Sequence, residues 1–200
     1  ASAPDLTPNS PESGRVWIFD RATAQVPDHT TGWVMPECGL IGSAVTGVLL
    51  DRGSQLAIAD FGTGPTVLVS TPGTTSGGIS RLNFPGGVGA NVGPTISVPD
   101  LDSFAVGDLD DSTADLEIIA GAPRADVNGT ADAGEVRVFN PTGTALGSIS
   151  IPEAKAQLQF GKSVAIVPWG NTGAHVLVVG ADEKIYTYFQ SPFYDNVRVQ

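Results

Sequence analysis

The chain has 200 residues, 41% hydrophobic and 16% charged, so it has enough apolar side chain for a sizeable core and is not a disordered polyanion. Its 25 glycines and 15 prolines favour short strands and tight turns over long helices. A formal net charge of −11 excludes nucleic acid and an anionic membrane surface as expected partners, because phosphate binding needs clustered Lys and Arg. Cys38 is the only cysteine, so no intrachain disulfide or multi-cysteine metal site forms; it reads as a buried thiol or as one that pairs with another chain. No apolar run reaches the length of a membrane-spanning helix, and membrane insertion is not expected.

In chain order, residues 1–13 read as an N-terminal tail. Ala1-Ser2-Ala3-Pro4 lacks the basic and apolar regions of a signal peptide and fits a processed secreted protein or a trimmed chain. Gly14-Arg15-Val16-Trp17-Ile18-Phe19-Asp20 matches Gly134-Glu135-Val136-Arg137-Val138-Phe139-Asn140 at an offset of 120 residues. Residues 14–38 therefore read as the outer half of a repeat unit, with Trp17 as strand packing. Three whole units follow, over about 39–98, 99–157 and 158–200.

The units open alike, on Ser43-Ala44-Val45, Ser103-Phe104-Ala105 and Ser163-Val164-Ala165, with serines sixty residues apart. In the first unit strands are predicted over 43–47, 56–59, 66–69 and 79–84; in the second over 103–107, 116–119, 135–139 and 146–151; in the third over 163–167, 176–179, 184–189 and 197–199. All are short, β-branched or aromatic, and bounded by Gly, Asp, Asn and Pro. Four short strands repeated at a fixed period predict an all-β chain of four-stranded antiparallel β-propeller blades, about three and a half in number. The first strand of each unit is expected to be the most apolar and the outer ones to alternate. Three and a half units do not close a ring of that geometry, so a second polypeptide or a missing segment is expected to complete it.

Particular words carry a family resemblance. Phe160-Gly161-Lys162-Ser163-Val164-Ala165 resembles the opening of an FG-GAP repeat, the repeat of integrin α-subunit propellers. Gly107-Asp108-Leu109-Asp110, Asp115-Leu116 and Ala120-Gly121-Ala122-Pro123 resemble its calcium-type hairpin and the "GAP" signature that follows. The resemblance covers roughly residues 14–190 and is weakest in the first unit, where Ile41-Gly42 and Ala59-Asp60-Phe61-Gly62 replace the expected words. It implies an extracellular, secreted or cell-surface binding, adhesion or assembly module that takes a protein or glycan ligand. The rival readings are the propeller part of a secreted hydrolase or lyase, and a glycan-binding lectin.

The resemblance also implies a structural Ca²⁺ held by Asp108, Asp110, Ser112 and Asp115, since the family places acidic or amide residues at positions one, three, five and nine of this hairpin. Here Ser112 stands at the third of these, and the loop is one residue short, so Asp115 falls at position eight. Calcium takes several oxygen ligands, which alternating carboxylates on a tight turn supply. Asp and Ser also favour plain turns by bonding nearby backbone amides, and that reading stays open beside the ion. The equivalent loops at 50–54 and 169–173 lack the carboxylates. Asp126-Val127-Asn128-Gly129-Thr130-Ala131-Asp132 resembles half a calcium loop but reads as an Asn-Gly turn; Asn128-Gly129-Thr130 is also a glycosylation sequon.

No catalytic constellation is visible. His29 and His175 have no zinc-ligand spacing, Cys38 has no neighbouring base, and the glycine-rich run 86–93 lacks a phosphate-binding lysine. Trp33 and Trp169 are each either core filler or a stacking surface for a ligand, and Trp169 in its hairpin is the better placed for contact.

Overall fold

The computed structural model describes residues 2–3, 15–16, 55–62, 64–71, 77–83, 91–92, 96–109, 116–152, 154–168, 175–182, 184–189 and 197–199. The expected first strand at 43–47, most of the half unit at 14–38, and Trp17, Trp33, Cys38 and His29 lie outside them. Among the described residues there is no helix, and every strand pairing is antiparallel.

β1 (Ser2–Ala3) pairs with β2 (Arg15–Val16). The first large sheet runs β3 (Leu56–Asp60), β4 (Pro65–Thr71), β5 (Gly78–Asn83), and the far edge of β5 takes both β6 (Asn91–Val92) and β7 (Ile96–Ser97). The middle sheet is a meander of β8 (Ser103–Gly107), β9 (Glu117–Ala122), β10 (Glu135–Phe139) and β11 (Ala145–Ile149). The last sheet repeats that order with β12 (Ser163–Pro168), β13 (His175–Gly180), β14 (Ile185–Phe189) and β15 (Val197–Val199). The sixty-residue period is thus carried from Ser103 to Ser163, the first residues of β8 and β12.

Residues opposite one another across a ladder share a face, and that sorts the core into two layers. On one face of the middle sheet, Phe104, Ile118, Ala120 and Phe139 pack with Ala59, Leu68 and Ile79 of the first sheet. On its other face, Ile119, Val136 and Val138 pack with Leu177, Val179, Tyr186 and Tyr188 of the last sheet. The three sheets are therefore stacked face to face, with the middle one covered on both sides.

This stacking corrects one expectation. The most buried strand is the second of its unit: all six residues of β9 are buried, whereas the first strand β12 alternates between exposed and half-buried. The burial of β9 on both sides follows from the neighbouring sheet on each face of the middle sheet. Of the outer strands, β10 alternates as expected, whereas β11 is mostly exposed and β4 has five consecutive buried residues.

Two kinds of contact lock the middle sheet to the last. Phe160 is fully buried and meets the rings of Tyr186 and Tyr188 edge-on, with centroids 5.4 and 6.0 Å away. Beside it, backbone lies on backbone: the amides of Gln159 and Phe160 donate to the carbonyls of Asp132 and Ala133, both at 3.0 Å. Gly134 makes that possible. Its φ is +82°, and a Cβ there would fall 2.2 Å from the Phe160 carbonyl oxygen. Between the first and middle sheets, the Gln55 side chain accepts from the Phe104 amide at 2.9 Å, and Arg81 donates to the Pro141 carbonyl while lying over the Phe61 ring.

Candidate functional site

The acid-rich hairpin grows from the end of the β8–β9 ladder, whose last pair is Gly107 and Glu117. Immediately past it, the Asp108 Oδ1 atom is buried and has no hydrogen-bond partner among the described residues. Leu109 is buried, and its amide donates to Glu117 Oε2 at 2.7 Å. Asp110, Ser112 and Asp115 lie outside the described residues, so Asp108 is the one expected calcium ligand with a described place. A sequestered, unpartnered carboxylate oxygen at the root of such a hairpin has the donor chemistry that calcium takes. Among the described residues no three His, Cys, Asp or Glu side chains gather into a metal-holding group.

Glu117 is a residue that the sequence motifs leave out. Only 4% exposed, it faces the last sheet beside aliphatic neighbours. A buried carboxylate costs free energy unless it is hydrogen-bonded, and the Leu109 amide supplies such a bond. A signal for it does exist: an acid interrupts the apolar run Leu116-Glu117-Ile118-Ile119 at a position with no turn to explain it.

Leu109 and Glu117 also form part of the wall of a cleft of about 360 Å³. Val138, Ile149 and Pro152 line it from the middle sheet and its outer loop, and Tyr188 lines it from β14. The Tyr188 hydroxyl is buried with no hydrogen-bond partner among the described residues. Burial first, and then the neighbouring Tyr186, push its ionisation above the ordinary tyrosine range. The cleft thus joins an engaged carboxylate to a neutral, unpaired phenol in an aliphatic setting. It presents hydrogen-bonding groups, with Ser148 and Ser150 also in its lining.

The second acidic loop forms the turn read from its Asn-Gly step. Val127 and Thr130 exchange backbone hydrogen bonds of 3.1 and 2.9 Å, and Asn128 and Gly129 have φ of +52° and +81°. Asp126 Oδ1 accepts from the Asp132 amide at 3.1 Å, and Asn128 is exposed at the tip. His175 opens β13 opposite Pro168, and Trp169 lies outside the described residues. No helix among the described residues is long and apolar enough to cross a membrane.

No protein-family model matches this chain, and no curated protein matches it.

Proposed function

We propose that this protein is a noncatalytic extracellular binding or assembly module built as part of an integrin-α-like FG-GAP propeller. One observation carries the reading. The Phe160-Gly161 turn that opens the last unit seats its backbone against Gly121, the glycine of the Gly121-Ala122-Pro123 word in the unit before. The two words on which the resemblance rests are thus partners in one contact, which gives a physical reason for both glycines.

In this reading the stacked sheets are a rigid frame and the loops at one rim present the ligand contacts. Asp108, with Asp110, Ser112 and Asp115, would hold a structural calcium ion that stiffens the β8–β9 hairpin without entering any reaction. The ligand is a protein or a glycan, and further sheets come from beyond these three.

Calcium titration followed by thermal melting tests the ion. The melting temperature is expected to rise with calcium in the wild type and to stay flat in Asp108→Ala/Asp110→Ala; an unchanged wild type at about 10 mM calcium, above the range of about 10⁻⁴ to 10⁻³ M in which extracellular sites fill, would remove it. Incubation of the pure chain with glycans and phospholipids tests whether the module is noncatalytic. Saturable binding without turnover supports that role, and hydrolysis overturns it in favour of a propeller attached to a secreted hydrolase or lyase.

A further inference from the structure

The cleft of about 360 Å³ lies where Tyr188 of the last sheet meets the middle sheet. That volume falls in the range of about 300 to 1,000 Å³ in which proteins hold small molecules, between mostly apolar walls with a few polar groups. Val138 of β10 and Ile149 of β11 form part of the aliphatic wall. Leu146 of β11 also lines it and is 58% exposed. An exposed leucine by itself needs no explanation, but here it carries the apolar wall of a cleft out to solvent.

Tyr188 supplies a directional group. The residue is 5% exposed, and its hydroxyl is buried without a partner among the described residues. The core around it includes Leu109, Val138, Phe160 and Leu177, whose side chains hold no acceptor. Buried polar groups left unpaired are rare in folded proteins, because each forfeits its hydration without return. Burial keeps the phenol protonated at neutral pH, so it stands as a donor.

The charge of the occupant follows from Glu117. Its carboxylate is 4% exposed, lines the cleft and accepts from the Leu109 amide. In a chain of net charge −11, a further buried negative group repels carboxylates and phosphates. A cation would exchange its water for aliphatic walls and a carboxylate already engaged by an amide. A neutral molecule meets neither cost.

We propose that the cleft binds a small uncharged molecule with an apolar body and a carbonyl oxygen. The oxygen accepts a hydrogen bond from the Tyr188 hydroxyl, and the body lies against Val138, Leu146 and Ile149. A carbonyl answers a lone donor without bringing a second proton to bury, which a ligand hydroxyl would do. The site is independent of the calcium hairpin and of the propeller reading.

Ligand-observed NMR titration of the whole chain tests it, with two neutral ketones as probes, camphor and the smaller cyclohexanone. At least one should bind saturably. Tyr188→Phe should weaken that ketone by about three- to ten-fold and leave camphene, a hydrocarbon of similar shape to camphor without the oxygen, unchanged. A purely structural role for the ring would not separate the two probes. Leu146→Glu, at an exposed position, should weaken ketone and hydrocarbon alike, and the dianion of camphoric acid should not bind. Circular dichroism checks that both variants keep wild-type strand content. Failure of both ketones to bind overturns the proposal. So does a ketone held equally by the wild type and Tyr188→Phe, or one that Leu146→Glu leaves unaffected, since the contact would then lie elsewhere. Calcium-dependent melting in a chain that binds neither ketone would remove the cleft site and keep the propeller reading.

Discussion

A Cβ on Gly121 would lie 2.0 Å from the carbonyl oxygen of Gly161. Neither residue can yield, since Gly121 is held in the β9 ladder and Gly161 has a φ of +93°. Gly121→Ala must therefore push the last sheet off the middle one. The expected loss is about 3 kcal/mol or more, the upper range for overpacking a tight contact. Gly147→Ala on β11 meets nothing within 4 Å and should stay within about 0.5 kcal/mol of the wild type. Urea denaturation measures both, and equal stability of the two variants would show that the sheets do not meet at this glycine.

Ser103 and Ser163 occupy the same place in successive units yet should respond differently to alanine. Ser103→Ala removes the bond to the buried Gly161 carbonyl and should cost about 1 to 2 kcal/mol. Ser163 is exposed, and its substitution should cost less than about 0.5 kcal/mol. Equal costs would mean that the Ser103–Gly161 bond adds nothing to stability.

Glu117 should be worth more to stability than a surface acid. Glu117→Ala leaves the buried Leu109 amide without its acceptor and opens a void, for an expected loss of about 2 to 3 kcal/mol. Glu117→Gln keeps a carbonyl acceptor and should lose less than half of that. If the two variants melt alike, the hydrogen bond is not what holds the carboxylate in place.

The repeat is legible in the sequence because period-two patterning and turn residues act locally: β8, β10 and β15 have the bounds expected for them. The second strand of the middle unit is expected to end at Ile119 but runs to Ala122. Gly121 and Ala122 fall beyond the expected strand, within the words that resemble the GAP signature, whereas they continue the ladder and Gly121 serves a contact forty residues away in the chain. Such a requirement is set by tertiary approach and leaves no local trace. The same holds for the burial of β9 over β8 and β12, which depends on a neighbour for each sheet face. In the hairpin, Asp108 is legible from its acidic spacing; Glu117 leaves only the interruption of an apolar run, because its partner is a backbone amide and amides have no sequence signature.

The unpaired Tyr188 hydroxyl sets the final expectation. At neutral pH it is a buried polar group with no partner among the described residues, so Tyr188→Phe should raise stability by about 1 kcal/mol. The pH dependence has a definite sign. In the unfolded chain this tyrosine ionises near its ordinary value of 10.0, while in the folded protein burial and Tyr186 hold the proton to higher pH. Above pH 10 the folded state therefore binds more protons than the unfolded one, and stability falls as pH rises. Below that point the group contributes no slope. Tyr186, also raised by burial, acts in the same direction, so Tyr188→Phe should reduce the alkaline loss without abolishing it. Thermal melts at neutral pH and at about pH 11 measure the difference. A variant that loses as much stability as the wild type at the higher pH would show that the Tyr188 hydroxyl is hydrated through the cleft rather than sequestered beneath it.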